Sequence, residues 1–197
     1  MRRMSQILVL LACGLIASLS VAAQEKKEAT PKQVYTGTIV SMSGGLASTS
    51  FSLTLAGLTT NEETEKYLSV LAEDDQDALL KELRNKKLGS FAATGQTGRD
   101  LLVVRDVKVD GKRRVTAVFE RWLRFREVRN GYRSEDYPFA IVEIFFDEKG
   151  KGTGTFIGAA KVRIVKNKKT GESQLEIENF ATYPAKIMGV IRRNKRR

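Results

Sequence analysis

LLVVRDVKV at 101–109, the dipeptide Asp110-Gly111 and RVTAVFERWLRFR at 114–126 set the architecture. Both runs alternate between apolar and polar residues, the period of a strand with two unlike faces. Asp-Gly suits the two-residue turn whose central positions need positive φ, so the stretch predicts a β-hairpin.

The same period extends in both directions. At 33–42, Val34, Thr36, Thr38 and Val40 oppose Tyr35, Gly37 and Ile39. Ser43-Gly44-Gly45 signals a turn, and at 48–58 Phe51, Leu53 and Leu55 share a face against Ser50, Ser52 and Thr54. Downstream, 137–147 is apolar on both faces, as in a central strand. A turn at 148–152 leads into 153–166, whose Phe156, Gly158, Ala160, Val162 and Ile164 are expected on one face. After Lys168-Lys169-Thr170-Gly171, the strand at 174–182 is expected to turn Leu175 and Ile177 inward, and 187–191 closes the set.

Only 60–89 breaks the pattern. Thr60-Asn61-Glu62-Glu63 has the form of a capping box, and Tyr67, Leu68 and Leu71 follow at helical spacing. Asp74 or Asp75 can cap a second helix bearing Leu79, Leu80 and Leu83, with Lys81, Arg84, Lys86 and Lys87 towards its end and Gly89 as its stop. The expected fold is mainly β (α+β): an antiparallel β-barrel or sandwich of about 8–9 strands. The helical pair is inserted after strand 2.

The chain opens with Arg2 and Arg3, an apolar run at 7–21 and the small residues Val21-Ala22-Ala23. This is the pattern of a secretory signal peptide, with cleavage expected before Gln24. The run is shorter than the ~20 residues of a spanning helix. Leu10-Leu11-Ala12-Cys13 gives an alternative, lipoprotein anchoring at Cys13; an uncleaved anchor is another. The resulting organisation is 1–23 signal peptide, 24–32 polar spacer, 33–191 a single β-rich domain and 192–197 a basic tail. A periplasmic or secreted location follows, with no membrane span in the mature chain.

Composition removes whole classes of chemistry. The 197 residues contain no histidine, and their only cysteine lies inside the expected signal. Ser-His-Asp and Cys-His catalysis, His/Cys metal centres and a disulfide framework are therefore excluded from the mature chain. Without Arg2 and Arg3 the charge is 32 basic against 23 acidic residues, a net +9, of which the tail holds five. Such an end suits polyanions or acidic lipid headgroups, or serves only solubility. Export puts intracellular nucleic acid out of reach.

RSEDYPF at 133–139, GKGTG at 150–154 and AAKV at 159–162, with the paired helices, resemble a group of uncharacterised exported bacterial proteins. That resemblance implies a β-rich fold and an address, with no assigned activity. At the level of fold alone, the barrel is similar to lipocalin-like ligand carriers.

Three charged residues interrupt apolar strand faces. Arg105 sits among Leu101, Val103, Val107 and Val109; Arg121 among Val115, Ala117, Phe119, Leu123 and Phe125; Glu143 between Ile141 and Phe145. Buried charges need partners, so Glu143 is expected to bridge to Arg121 or Arg105 inside the barrel. There the set either orients a small anionic ligand or forms an internal ion pair. A second candidate is the strand face of Trp122, Arg124 and Arg126 with Arg129, Tyr132 and Arg133 beyond it, where cations and aromatics can grip an anionic or flat partner.

The acidic run 73–77 lacks the calcium-loop pattern and is read as helix capping. The glycines at 150–154 lack the order of a phosphate loop, so no cofactor is expected. Asp136 or Glu143 can supply half of a glycosidase-type carboxylate pair. The expected role is a non-enzymatic exported envelope protein, as a small-ligand or anion-binding barrel. The alternatives are a surface module that binds polyanions and a carboxylate-dependent hydrolase.

Overall fold

The computed structural model describes residues 31–41, 47–121, 136–166, 172–180 and 183–193. In chain order these form β1 (Gln33–Ser41), β2 (Ala47–Leu55), α1 (Asn61–Glu73), α2 (Gln76–Leu83), β3 (Gly89–Ala93), β4 (Arg99–Val109) and β5 (Lys112–Glu120). They continue with β6 (Phe139–Phe146), β7 (Gly152–Lys166), β8 (Ser173–Asn179) and β9 (Ala185–Arg192).

All strand pairings are antiparallel, in the order β6-β5-β4-β3-β2-β1-β9-β7-β8. A further β6–β7 pairing joins the two ends, so eight strands close a barrel and β8 lies outside it. Closure is what separates this fold from a sandwich, because each strand of the ring has both edges paired. β8 and β9 lie end to end along one edge of β7, β9 against Gly152–Phe156 and β8 against Ala160–Lys166. The far half of β7 therefore continues beyond the ring as a two-stranded ribbon with β8.

The Asp110-Gly111 turn forms as expected, with φ +50° and +77°. Alternation then sorts the side chains. Tyr35, Phe51, Leu53, Phe91, Val104, Val115, Ala117, Phe119, Val142, Ile144, Ile187 and Val190 fill the barrel. Phe91 stacks at centroid distances of 5.3 Å on Phe51, 4.8 Å on Phe119 and 5.6 Å on Phe156. Each ring buried there contributes about 1.5–3 kcal/mol. An apolar inside and a hydroxyl- and charge-bearing outside is the reverse of a membrane channel built from strands. Among the described residues no helix is long and apolar enough to cross a membrane.

The helices form an outer layer. Tyr67, Leu71, Leu79, Leu80 and Leu83 pack on Leu102, Phe139, Ile141, Ala160 and Val162 of β4, β6 and β7. Thr60 caps α1 in the expected box, its hydroxyl accepting from the Glu63 N–H at 3.1 Å while Glu63 accepts from the Thr60 N–H at 3.1 Å. Asp75 caps α2 by accepting from the N–H groups of Asp77 and Ala78, both at 2.9 Å. This gives the acidic run 73–77 a structural role.

Several expectations about faces are corrected by β-bulges. One between Leu101 and Val103 reverses the phase of β4, so Leu101 and Val104 point in while Val103 and Arg105 point out. One between the β6–β7 pairs Phe139↔Ala160 and Ile141↔Ile157 splits the expected single face of β7. Phe156 packs on the interior, and Ala160, Val162 and Ile164 belong to the layer beneath the helices. Leu175 and Ile177, expected inward, are half-exposed because β8 lies outside the ring. β5 spans Lys112–Glu120, residues 122–126 of the expected strand lie outside the described residues, and β2 ends at Leu55, short of the expected 58.

Candidate functional site

Of the two sets of side chains expected to form a site, the first, Arg105, Arg121 and Glu143, is dispersed. Arg105 points outward, where its guanidinium donates to the Thr59 carbonyl at 3.0 Å and to Asn61 Oδ1 at 2.8 Å. It thus fastens the start of α1 to the wall, next to the Thr59 hydroxyl that accepts from the Val104 N–H at 3.0 Å. Glu143 also points outward and sits 3.7 Å from the Arg114 guanidinium. Arg105, Thr116 and Glu143 share one cross-strand row, so Arg105 and Glu143 are two strands, roughly 10 Å, apart on the outside. Arg121 is 5% exposed just after β5, its N–H donating to the Pro138 carbonyl at 2.9 Å. Its level on the ladder is beyond the Glu120↔Phe139 pair, whereas Glu143 lies opposite Thr116. The expected internal bridge from Glu143 to Arg121 or Arg105 does not form.

Trp122, Arg124, Arg126, Arg129, Tyr132 and Arg133 lie outside the described residues. Asp136 is exposed at the entry to β6, and the advance from Phe139 to Glu143 alone is roughly 13 Å. These two acids are therefore wider apart than the ~5–10 Å of paired catalytic carboxylates.

A polar cluster that the sequence reading did not single out closes one mouth of the barrel. Arg113 and Asp106 both have inward phase. Arg113 Nε and Nη2 donate to the two Asp106 oxygens at 2.9 and 2.7 Å, and Nη1 donates to the Tyr35 hydroxyl at 2.8 Å. That hydroxyl in turn donates to Gln33 Oε1 at 2.6 Å. The guanidinium carbon lies 4.9 Å from the Phe146 ring centre and 5.6 Å from that of Tyr35. The Asp106 hydrogen bond is the main cause that holds Arg113 well above its ordinary pKa. With its donors engaged, the cluster caps the apolar interior. Its signal was the parity of 113 with 115, 117 and 119, which became readable once the β4 phase was known.

The wall left uncovered by the helices is β3-β2-β1-β9, and it carries an open groove of about 480 Å³. Its floor is made of cross-strand rows of small side chains, Ala92–Ser52–Thr36 and Thr94–Ser50–Thr38. Ile191 and Met188 stand opposite Thr36 and Thr38 on β9. The register shift between Thr36 and Thr38 bends the wall at this level. Among the described residues, the lining side chains offer hydroxyls and apolar surface and carry no charge. The sequence signal was present in the Ser and Thr of the polar faces of strands 1 and 2. Those positions read as ordinary solvent faces until the helices proved to cover the opposite wall.

No family model, curated protein or solved structure matches the chain.

Proposed function

We propose that this chain is an exported, non-enzymatic envelope protein that binds its partner on the outer wall of a filled barrel. The stacked Phe51, Phe91, Phe119 and Phe156 carry this reading, since they occupy the space where an internal ligand would sit. The outward placement of Arg105 and Glu143 supports it further, because these were the anchors for an internal anion. Export rests on the basic and apolar start, cleaved before Gln24, and agrees with the resemblance to exported bacterial proteins. The groove of Thr36, Thr38, Ser50 and Ser52 supplies hydrogen bonds in rows about 4.8 Å apart and leaves room for a polar chain.

The test uses the processed chain from its host. Native mass spectrometry should give the mass of the polypeptide from Gln24 onward and nothing more. Thr38→Trp, which blocks the groove from outside, should reduce retention on envelope fractions without lowering thermal stability. A stoichiometric small molecule that survives purification would overturn the reading in favour of a ligand carrier.

A further inference from the structure

The net charge of the mature chain is concentrated at one end. Residues 151–197 hold twelve Lys and Arg against three acids, a net +9, whereas 24–150 balance at twenty of each. From Asn179 to the terminus there are six basic residues and no acid. Of this segment the structure describes 179–180 and 183–193, which include β9.

The same segment displays large apolar side chains. Phe180, Tyr183, Met188 and Ile191 are 50%, 74%, 52% and 51% exposed. Ile187 and Val190 are buried inside the barrel, so the strand is anchored from within and its outer residues are held in a fixed array. Exposed Lys186 and Arg193 have the outward phase of Met188 and Ile191, pairing with Val40 and Val34 of β1, and exposed Arg192 lies between them at the end of β9. The groove alongside adds no charge. Of the acids on neighbouring strands, Glu143 shares a cross-strand row with Lys186 across Thr155 and sits 3.7 Å from Arg114, Glu176 is engaged by Arg163 at 2.7 Å, and Glu178 by the Tyr137 hydroxyl at 2.5 Å.

Resting on the outer-wall reading above, we infer that the face made by Tyr183 and the outward residues of β9 docks on an anionic lipid bilayer. Charge complementarity selects an acidic surface. The apolar residues select a bilayer over a soluble polyanion, because they gain only where they can leave water. β9 is paired on both edges, with β1 and β7, so a partner meets side chains and no open backbone, which disfavours strand addition by a peptide. The cations meet headgroup phosphates while Tyr183, Met188 and Ile191 enter the boundary between headgroups and acyl chains.

The experiment is vesicle co-flotation of the processed chain. Wild type should float with phosphatidylglycerol–phosphatidylethanolamine vesicles, stay behind with pure phosphatidylcholine, and be released by salt. Tyr183→Ser with Met188→Ser keeps every charge and touches only exposed positions. It should weaken flotation by about tenfold while heparin retention and thermal midpoint stay unchanged. Unchanged flotation of that variant, or no flotation of wild type on anionic vesicles, overturns the inference. Loss of this inference alone leaves Thr38-dependent retention on envelope fractions intact, whereas a co-purifying small molecule removes the outer-wall reading with it.

Discussion

Arg113 and Asp106, diagonal neighbours on adjoining strands at one mouth of the barrel, are joined by two hydrogen bonds of 2.9 and 2.7 Å. The pair bridges β5 and β4, and through the Tyr35 hydroxyl it also reaches β1. One side chain therefore ties together strands on different sides of the ring. Both partners are partly exposed, at 33% and 20%, so water screens the attraction and geometry carries much of its value. Asp106→Asn should cost about 1–2 kcal/mol in urea denaturation, since it loses a charge-assisted bidentate bond while conserving shape. A double-mutant cycle with Arg113→Met should return most of that cost as coupling. Additive effects would show that the two residues act separately.

Gly154 lies where β7 runs between β6 and β9, opposite Ile144 and Ile187. A Cβ here would overlap the backbone carbonyl of Glu143 on the neighbouring strand, a contact that a side-chain rotation cannot relieve. Gly154→Ala should therefore destabilise by about 3 kcal/mol or more, or prevent folding. Gly98→Ala is the control, because its nearest contacts at 3.8 Å are ordinary, and it should change stability by less than about 1 kcal/mol. Equal thermal midpoints for the two variants would contradict the close approach.

Buried Tyr137 pins the ribbon to the barrel through its bond to Glu178 and an edge-on contact with Phe180 at 5.2 Å. Tyr137→Phe keeps the ring and removes the donor. The expected cost is about 1–1.5 kcal/mol, seen as roughly tenfold faster amide exchange in β8 with the barrel strands unchanged. A uniform loss of protection over all strands would mean that the ribbon is not a separately opening unit.

The pH dependence follows from the direction of each shift. Glu62 is held below the ordinary carboxylate value by the N–H groups at the helix start and by Thr60, Glu82 by Lys66, and Glu176 by Arg163. Their contribution is present above the unfolded value of about 4.3 and is lost as pH falls through the lower folded values. Lys86 is raised by its hydrogen bond to Glu63. Its contribution is complete below about pH 10.4 and is lost as pH rises beyond it. With no histidine in the chain, stability should be flat between about pH 6 and 9, with losses outside that window. A step in the denaturation midpoint between pH 6 and 8 would contradict this.

Strand period, the Asp110-Gly111 turn and the Thr60–Glu63 cap are local properties, governed by backbone sterics and short-range hydrogen bonds, and all three were legible in the residues. So was the switch from period two to helical spacing at 60–89. The site was harder to read. Arg105 and Glu143 were seen as charges on apolar faces, but a single extra residue near Leu102 reverses every later side chain of β4, and composition carries no mark of it.

By itself, then, the order of residues determined that this chain forms antiparallel strands with a helical pair after the second, and that it lacks imidazole chemistry. Only the tertiary structure decided that β6 meets β7 to close the ring, that the helices cover one wall and leave Thr36, Thr38 and β9 open, and that Arg113 joins Asp106. The physical reason is range. Alternation states which residues share a face, but which face becomes the inside depends on bulges and on pairing between strands distant in sequence, where burial is shared by the whole barrel.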